Sequence, residues 1–207
     1  MTEDTEHLEI NTTISRSPLV NSVFSFEVVA ELEERLDQEK VIAGRLKGSI
    51  VKPFMWDVDF YEDYFDSDNQ HSHECWDVLV NQSEKIENVL ATKDEDFELE
   101  HVTEIIFCEK LEVLPKYRGH ALALRLMREI RYVFSSSPLM ILRAWPDGNG
   151  DDNSARQLAQ YYMRDIHLGL TEVDSENLIG WLVGIGNHDF FQAIENNDDC
   201  EVLIKKL

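Results

Sequence analysis

The chain has 207 residues, 43% of them hydrophobic and 10% aromatic, enough apolar side chain for one sizeable core, which excludes disorder of the chain as a whole. Its 19 Lys and Arg against 41 Asp and Glu leave a net charge of −22 at pH 7, opposite to the balance that binders of the nucleic-acid backbone carry, so nucleic acid is not an expected partner. There is no apolar run of roughly 18 residues, the N-terminus is acidic, and Cys75, Cys108 and Cys200 form no CxxC pair; a cytoplasmic protein with reduced thiols, no membrane partner and no metal is expected.

In chain order, residues 1–20 are polar and without a sustained apolar period, and are read as a flexible arm ahead of a single domain over 21–207. Residues 24–31 (FSFEVVAE) and 41–51 (VIAGRLKGSIV) are strand-like and predict a hairpin, whose connecting ELEERLDQEK either extends the strands or forms a helical turn. In residues 56–68 the aromatics Trp56, Phe60, Tyr61, Tyr64 and Phe65 interleave with six acids, spacing that gives a helical face. From 70 to 92, Trp76, Leu79, Val80, Ile86, Val89 and Leu90 recur as on an amphipathic helix lying over one side of a sheet. After an acidic loop, residues 102–114 (VTEIIFCEKLEVL) read as a buried strand ended by Pro115.

Residues 119–134 carry a helical stripe through Leu122, Leu126, Ile130 and Val133, and 139–144 (LMILRA) form a short buried strand. A Gly, Asp and Asn loop then leads to a helix over 155–166, capped by Asn153 or Ser154. Residues 178–185 (LIGWLVGI) are a last strand, with 202–204 a possible addition.

The segment 111–127 (LEVLPKYRGHALALRLM) joins a strand to a helix through Pro115 and Gly119, with small residues where the helix begins. The first N–H groups of a helix have no intrahelical partner, so an anion placed there gains hydrogen bonds and the favourable end of the dipole. Charge agrees: within 110–143, Lys110, Lys116, Arg118, Arg125, Arg128, Arg131 and Arg143 stand against Glu112 and Glu129, a local balance of +5 in a strongly acidic chain.

These residues resemble the GCN5-related N-acetyltransferase superfamily. The family's apolar strand ends V-x-P and is followed by R/Q-x-x-G-x-G/A opening a helix; here Val113-Leu114-Pro115 precedes Arg118-Gly119-His120-Ala121-Leu122-Ala123, with Ala121 in place of the first motif glycine. LMILRAWP followed by ARQLAQYYMRD is similar to the family's next strand and its fourth, tyrosine-bearing helix. The resemblance implies a mixed α/β fold, a mostly antiparallel twisted sheet with a splayed central parallel pair and flanking helices. It implies acetyl-CoA as acyl donor, with Leu111 and Val113 offering backbone groups to the pantetheine and the amides of Arg118, Gly119, His120, Ala121, Leu122 and Ala123 holding the pyrophosphate, with Arg125 one turn further on. It also implies a tyrosine that protonates the departing thiolate. Tyr161 and Tyr162 compete, pointing about 100° apart; Tyr162 is preferred and Tyr161 assigned to the core.

The implied reaction is attack of a primary amine, on a small molecule or a protein, on the thioester, which calls for a base within reach. Glu109 and Glu112 are the candidates, with Glu104 further back; strict alternation puts Glu109 on the face of Leu111 and Val113 and Glu112 on the other. The family usually places two helices between its first and second strands, whereas here the helical region follows the hairpin, so familiar acceptors do not transfer. Two further readings stand beside the enzyme: a noncatalytic binding or regulatory module of the same fold, and an acidic DNA mimic. His71, His73 and Cys75 are ligand types at non-convergent helical spacing, and Asp147, Asn149 and Asp151 lack the glycine and glutamate of a calcium loop.

Overall fold

A computed structural model describes residues 7–16, 23–33, 40–52, 70–134, 138–148, 150–173 and 178–185. The predicted hairpin is present as β2 (Val23–Glu33) and β3 (Val41–Val51), paired antiparallel from Val23↔Val51 to Leu32↔Val41. On β2 the side chains of Phe26, Val28, Ala30 and Leu32 are buried while their neighbours stay half-buried or exposed, the alternation of a strand with one face on a core.

The arm expectation is corrected: His7–Arg16 forms β1, antiparallel to β2 from His7↔Glu33 to Arg16↔Phe24. An edge strand has one strand neighbour and buries one face at most, so HLEINTTISR needs little apolar content, and Leu8 and Ile10 suffice to seat it on the core.

The helical stretch from 70 is two helices, α1 (Gln70–Asn81) and α2 (Ser83–Ala91), broken at Gln82. Their residues Trp76, Leu79, Ile86 and Leu90 bury against Ile105, Phe107, Leu139, Ile141 and Val183, one face of the sheet. The predicted aromatic and acidic helix over 56–68 and the strand at 202–204 lie outside the described residues.

Strand β4 (Ile105–Val113) follows a 3-10 turn at Leu99–His101 and is buried on both faces only through Cys108; from Glu109 onward its side chains are half-buried or exposed. Helix α3 (Leu122–Val133) covers the opposite face from α1 and α2, with Leu122, Leu126, Met127 and Ile130 packed among Leu46, Ile106, Met140 and Leu142. Strand β5 (Leu139–Arg143), helix α4 (Asp152–Met163), a three-residue β6 (Leu170–Glu172) that the sequence reading lacks, and β7 (Trp181–Ile185) complete the fold.

The seven strands lie in the order β1-β2-β3-β4-β5-β7-β6. Every neighbouring pair is antiparallel except β4 and β5. The protein is a mixed α/β sheet between two helical layers, with a single central parallel pair among the described residues. None of the described helices is long and apolar enough to cross a membrane.

Gly48 shows how tightly β3 meets β4. A Cβ at this position runs into the Phe107 carbonyl oxygen and lies 2.6 Å from the Phe26 ring. Gly48→Ala is therefore expected to lower stability by about 2 kcal/mol through overpacking, read as an earlier denaturant midpoint with unchanged slope.

Candidate functional site

The parallel pair opens where its hydrogen bonding stops. Register runs from Ile105↔Leu139 to Cys108↔Leu142, while β4 continues to Val113, so the backbone of 109–113 has no strand partner on the β5 side. Leu111 and Val113 lie along this stretch and pack against the α3-side core. Leu114 donates its N–H to Ala43 (2.9 Å), keeping the end of β4 on β3 while β5 turns away.

At the top of the opening, Pro115–Tyr117 form a 3-10 turn, Gly119 has φ 85°, and Ala121 has φ 56° and ψ 15°. Ala121 is the one non-glycine residue with positive φ among the described residues. Glycine adopts positive φ without the steric cost that the alanine methyl group meets here. Ala121 is also the N-cap of α3: its carbonyl accepts from the Arg125 N–H (3.1 Å), but no side chain caps the helix start. The first amides of α3, at Leu122, Ala123 and Leu124, thus have no intrahelical acceptor. Gly119, His120 and Ala121 are exposed around them, and no atom lies within 4 Å of where a Gly119 Cβ would sit, so the cradle is open to a ligand. Arg118 is exposed and folds back, its Nε donating to the Val113 carbonyl (3.0 Å). Because a left-handed alanine is strained by 1–2 kcal/mol, offset in part by the greater freedom of unfolded glycine, Ala121→Gly is expected to stabilise the protein by about 1 kcal/mol. Thermal unfolding checks it.

Glu109 sits elsewhere than alternation predicts. Lys47 pairs with Lys110 and Gly48 with Cys108, leaving Glu109 as the extra residue of a β-bulge. The bulge resets the alternation: Ile106 and Cys108 share the α3 face with Leu111 and Val113, whereas Glu109 joins Phe107 and Ser49 on the opposite face. There the Ser49 hydroxyl, itself buried, donates to the Glu109 carboxylate at 2.5 Å.

Glu112 is exposed, and Lys110 Nζ at 2.8 Å holds its carboxyl below the usual range. Glu104 pairs with Lys52 Nζ at 2.7 Å near the base of β4.

The two tyrosines of α4 exchange their expected burial: Tyr162 is buried and Tyr161 half-buried. Burial, then the neighbouring Tyr161 and Cys108, pushes the Tyr162 phenol well above its ordinary value. Tyr162 belongs to the same α3-side core cluster as Cys108, the last paired residue of β4, whereas burial first and then Asp165 raise the Tyr161 phenol. Helix α4 is fixed at both ends. Asp151, rather than Asn153 or Ser154, is its N-cap, accepting from the Ser154 N–H (2.8 Å) while Ser154 Oγ accepts from the Asp151 N–H (2.9 Å). At the other end the buried Asp165 takes Arg128 Nε and Nη2 from α3 at 2.8 and 2.5 Å, and its own N–H donates to the Tyr162 carbonyl (3.2 Å).

No protein-family model and no curated protein matches the chain. Among solved structures, a KacTA–DNA complex is similar over 92% of this chain and 100% of that one, with a TM-score of 0.43 and 8% identity. Arabidopsis thaliana NAA60 in complex with a bisubstrate analogue is similar over 86% of this chain and 100% of that one, with a TM-score of 0.41 and 12% identity. These are likenesses of coarse shape alone.

Sequence reasoning missed a cluster on the face of Glu109. Arg143, the last residue of β5, donates through Nη1 to Glu74 of α1 (2.5 Å), and its guanidinium carbon lies 4.7 Å from the Trp145 ring and 6.0 Å from the Trp181 ring. Sixty-nine residues separate the ion pair, and no local spacing announces it. A concavity lined by Asp94, Asp96, Glu98, His101 and Ile185 lies beside the start of β5, since Ile185 pairs with Leu139, and so is at the far end of the sheet from the opening. Among the described residues no three His, Cys, Asp or Glu converge on a metal position.

Proposed function

We propose that the protein is an acyl-CoA-dependent N-acetyltransferase acting on a primary amine. The observation that carries the reading is that β4 runs on past its last pair with β5 and leads through a turn with a left-handed Ala121 into a helix start that no side chain caps, with a buried Tyr162 in the same core cluster as the strand. The residues present fit acetyl-CoA. The amides of Ala121 to Leu124 would take its pyrophosphate, the unpaired backbone around Leu111 and Val113 its pantetheine, and Lys116, Arg118 and Arg125 supply cationic surroundings. Bound there, acetyl-CoA supplies an activated acyl group.

In this reading Glu109 is the base. It receives, directly or through one water, the proton released as the amine nitrogen bonds to the acyl carbon. The bulge puts it on the sheet face opposite α3, with its carboxylate held by Ser49 of β3, and in this reading the amine would approach from that face while acetyl-CoA lies on the α3 side. Glu112, salt-bridged and exposed, is the poorer base. Tyr162 gives its proton to the departing sulfur; a phenol is in the donor form at neutral pH, and burial extends that form to more alkaline pH.

Thiol release from acetyl-CoA in the presence of primary amines tests the reading. Release that depends on the amine and falls at least about tenfold in Glu109→Gln is expected. Acetyl-CoA binding without release for any amine would leave a noncatalytic module of the same fold.

A further inference from the structure

The acceptor side of the opening holds a second charged group, and its hydrogen bonding is incomplete. Glu109 is the first residue of β4 beyond the last parallel pair, and Arg143 is the first of β5 beyond it. Both lie on the sheet face away from α3: Arg143 follows the alternation of Leu139 and Ile141, which belong to the same core cluster as Phe107 and Trp181. A carboxylate and a guanidinium therefore stand on one face of the sheet at the two residues that follow the last parallel pair.

Arg143 is held in place rather than used up. Its Nη1 is fixed by Glu74, and its plane lies against Trp145, where the chain doubles back with the Trp145 N–H donating to the Arg143 carbonyl (3.0 Å). Gly180, with φ 80°, lets β7 come close enough for the Ala144 N–H to reach its carbonyl at 2.7 Å; a Cβ there would meet the Ala144 oxygen. Yet Arg143 Nε is buried and has no hydrogen-bond partner among the described residues, while the side chain as a whole is 27% exposed.

The contrast with Arg128 is instructive. That residue directs Nε and Nη2 together onto the Asp165 carboxylate, the paired edge with which a guanidinium grips a planar anion. In Arg143 a single nitrogen meets Glu74 and Nε is unsatisfied. Nε itself is out of a ligand's reach, but the side chain as a whole keeps an exposed part, and in a chain of net charge −22 a fixed cation is what an anionic ligand group needs.

We propose that Arg143 binds a carboxylate carried by the acceptor, so that the substrate is a small amino-acid-like amine whose nitrogen lies toward Glu109 and whose carboxylate pairs with the Arg143 guanidinium. Glu74 is then a positioning residue, holding the guanidinium plane, and half-buried Trp145 walls the site. The inference rests on the acetyltransferase reading and narrows it to a substrate class.

The experiment is thiol release by the full chain with acetyl-CoA and matched acceptors: lysine against cadaverine, phenylalanine against phenethylamine, and β-alanine against ethylamine. The carboxylate-bearing member of at least one pair is expected to be favoured about tenfold or more in kcat/KM. In Arg143→Gln that ratio collapses toward one, chiefly through KM, and Arg143→Lys restores part of it. The Kd for acetyl-CoA, measured on each variant, reports that the fold is retained; where Arg143→Gln does not fold, the wild-type ratios and Arg143→Lys decide. Equal or better use of the decarboxylated members overturns the inference, as does an undiminished ratio in Arg143→Gln or no turnover of any of these amines by a protein that binds acetyl-CoA. Failure to bind acetyl-CoA sinks the acetyltransferase reading instead.

Discussion

Tyr162→Phe is expected to lower kcat by about 10² or more, the size of effect that a positioned proton donor contributes, and to leave the Kd for acetyl-CoA within about twofold. The substitution removes one oxygen from a side chain already buried, so packing against the α3-side cluster is kept. The pH dependence has a definite sign. Burial first, then Tyr161 and Cys108, raises the phenol's pKa, so the hydroxyl keeps its proton beyond pH about 10, where a free tyrosine loses it. The wild-type rate should therefore show no decline on Tyr162's account through the alkaline range up to that pH. Stability carries the same sign: the unfolded phenol ionises first, so the contribution is complete below pH about 10 and is lost as pH rises through the folded value. A parallel Tyr161→Phe, at the half-buried neighbour, is expected to change kcat little. Equal loss in both variants would remove Tyr162 from the mechanism.

The second large effect is at the helix start. Ala121→Asp puts a carboxylate at the N-cap of α3, in a left-handed conformation that Asp tolerates better than most residues. There it competes for the same amides that the proposed cradle offers to a phosphate. The fold should be as stable as before or more so, because a capping carboxylate is favourable at this end of a helix. Acetyl-CoA binding should weaken at least about a hundredfold, the equivalent of losing one or two charge-assisted hydrogen bonds and adding a like charge. Thermal unfolding and titration on the same preparation separate the two quantities. Retained affinity in a folded Ala121→Asp would move the anion site away from α3.

Where the sequence pattern was strong, the structure follows it. The stripe Leu122, Leu126, Ile130 appears as the buried face of α3, and the apolar run ending at Pro115 appears as β4. The polar β1 escaped because an edge strand needs apolar residues on one face only, although Leu8, Ile10, Thr12 and Ile14 do alternate. Three features of the candidate site were illegible for a different reason, since each depends on contacts distant in sequence. The bulge that turns Glu109 to the other face is a matter of register between β3 and β4. The relative burial of Tyr161 and Tyr162 depends on how α4 is rotated by the Arg128–Asp165 bridge and its own caps. The setting of Arg143 needs α1, β5 and β7 assembled together. The left-handed backbone at Ala121 was not legible either, since alanine rarely adopts it.

Calorimetric titration of the full chain with acetyl-CoA, with CoA and dephospho-CoA alongside, tests the central claim most directly. A single site with Kd in the micromolar range is expected, competed by CoA and lost in Ala121→Asp. No heat of binding at millimolar acetyl-CoA, from protein shown to be folded, would contradict it.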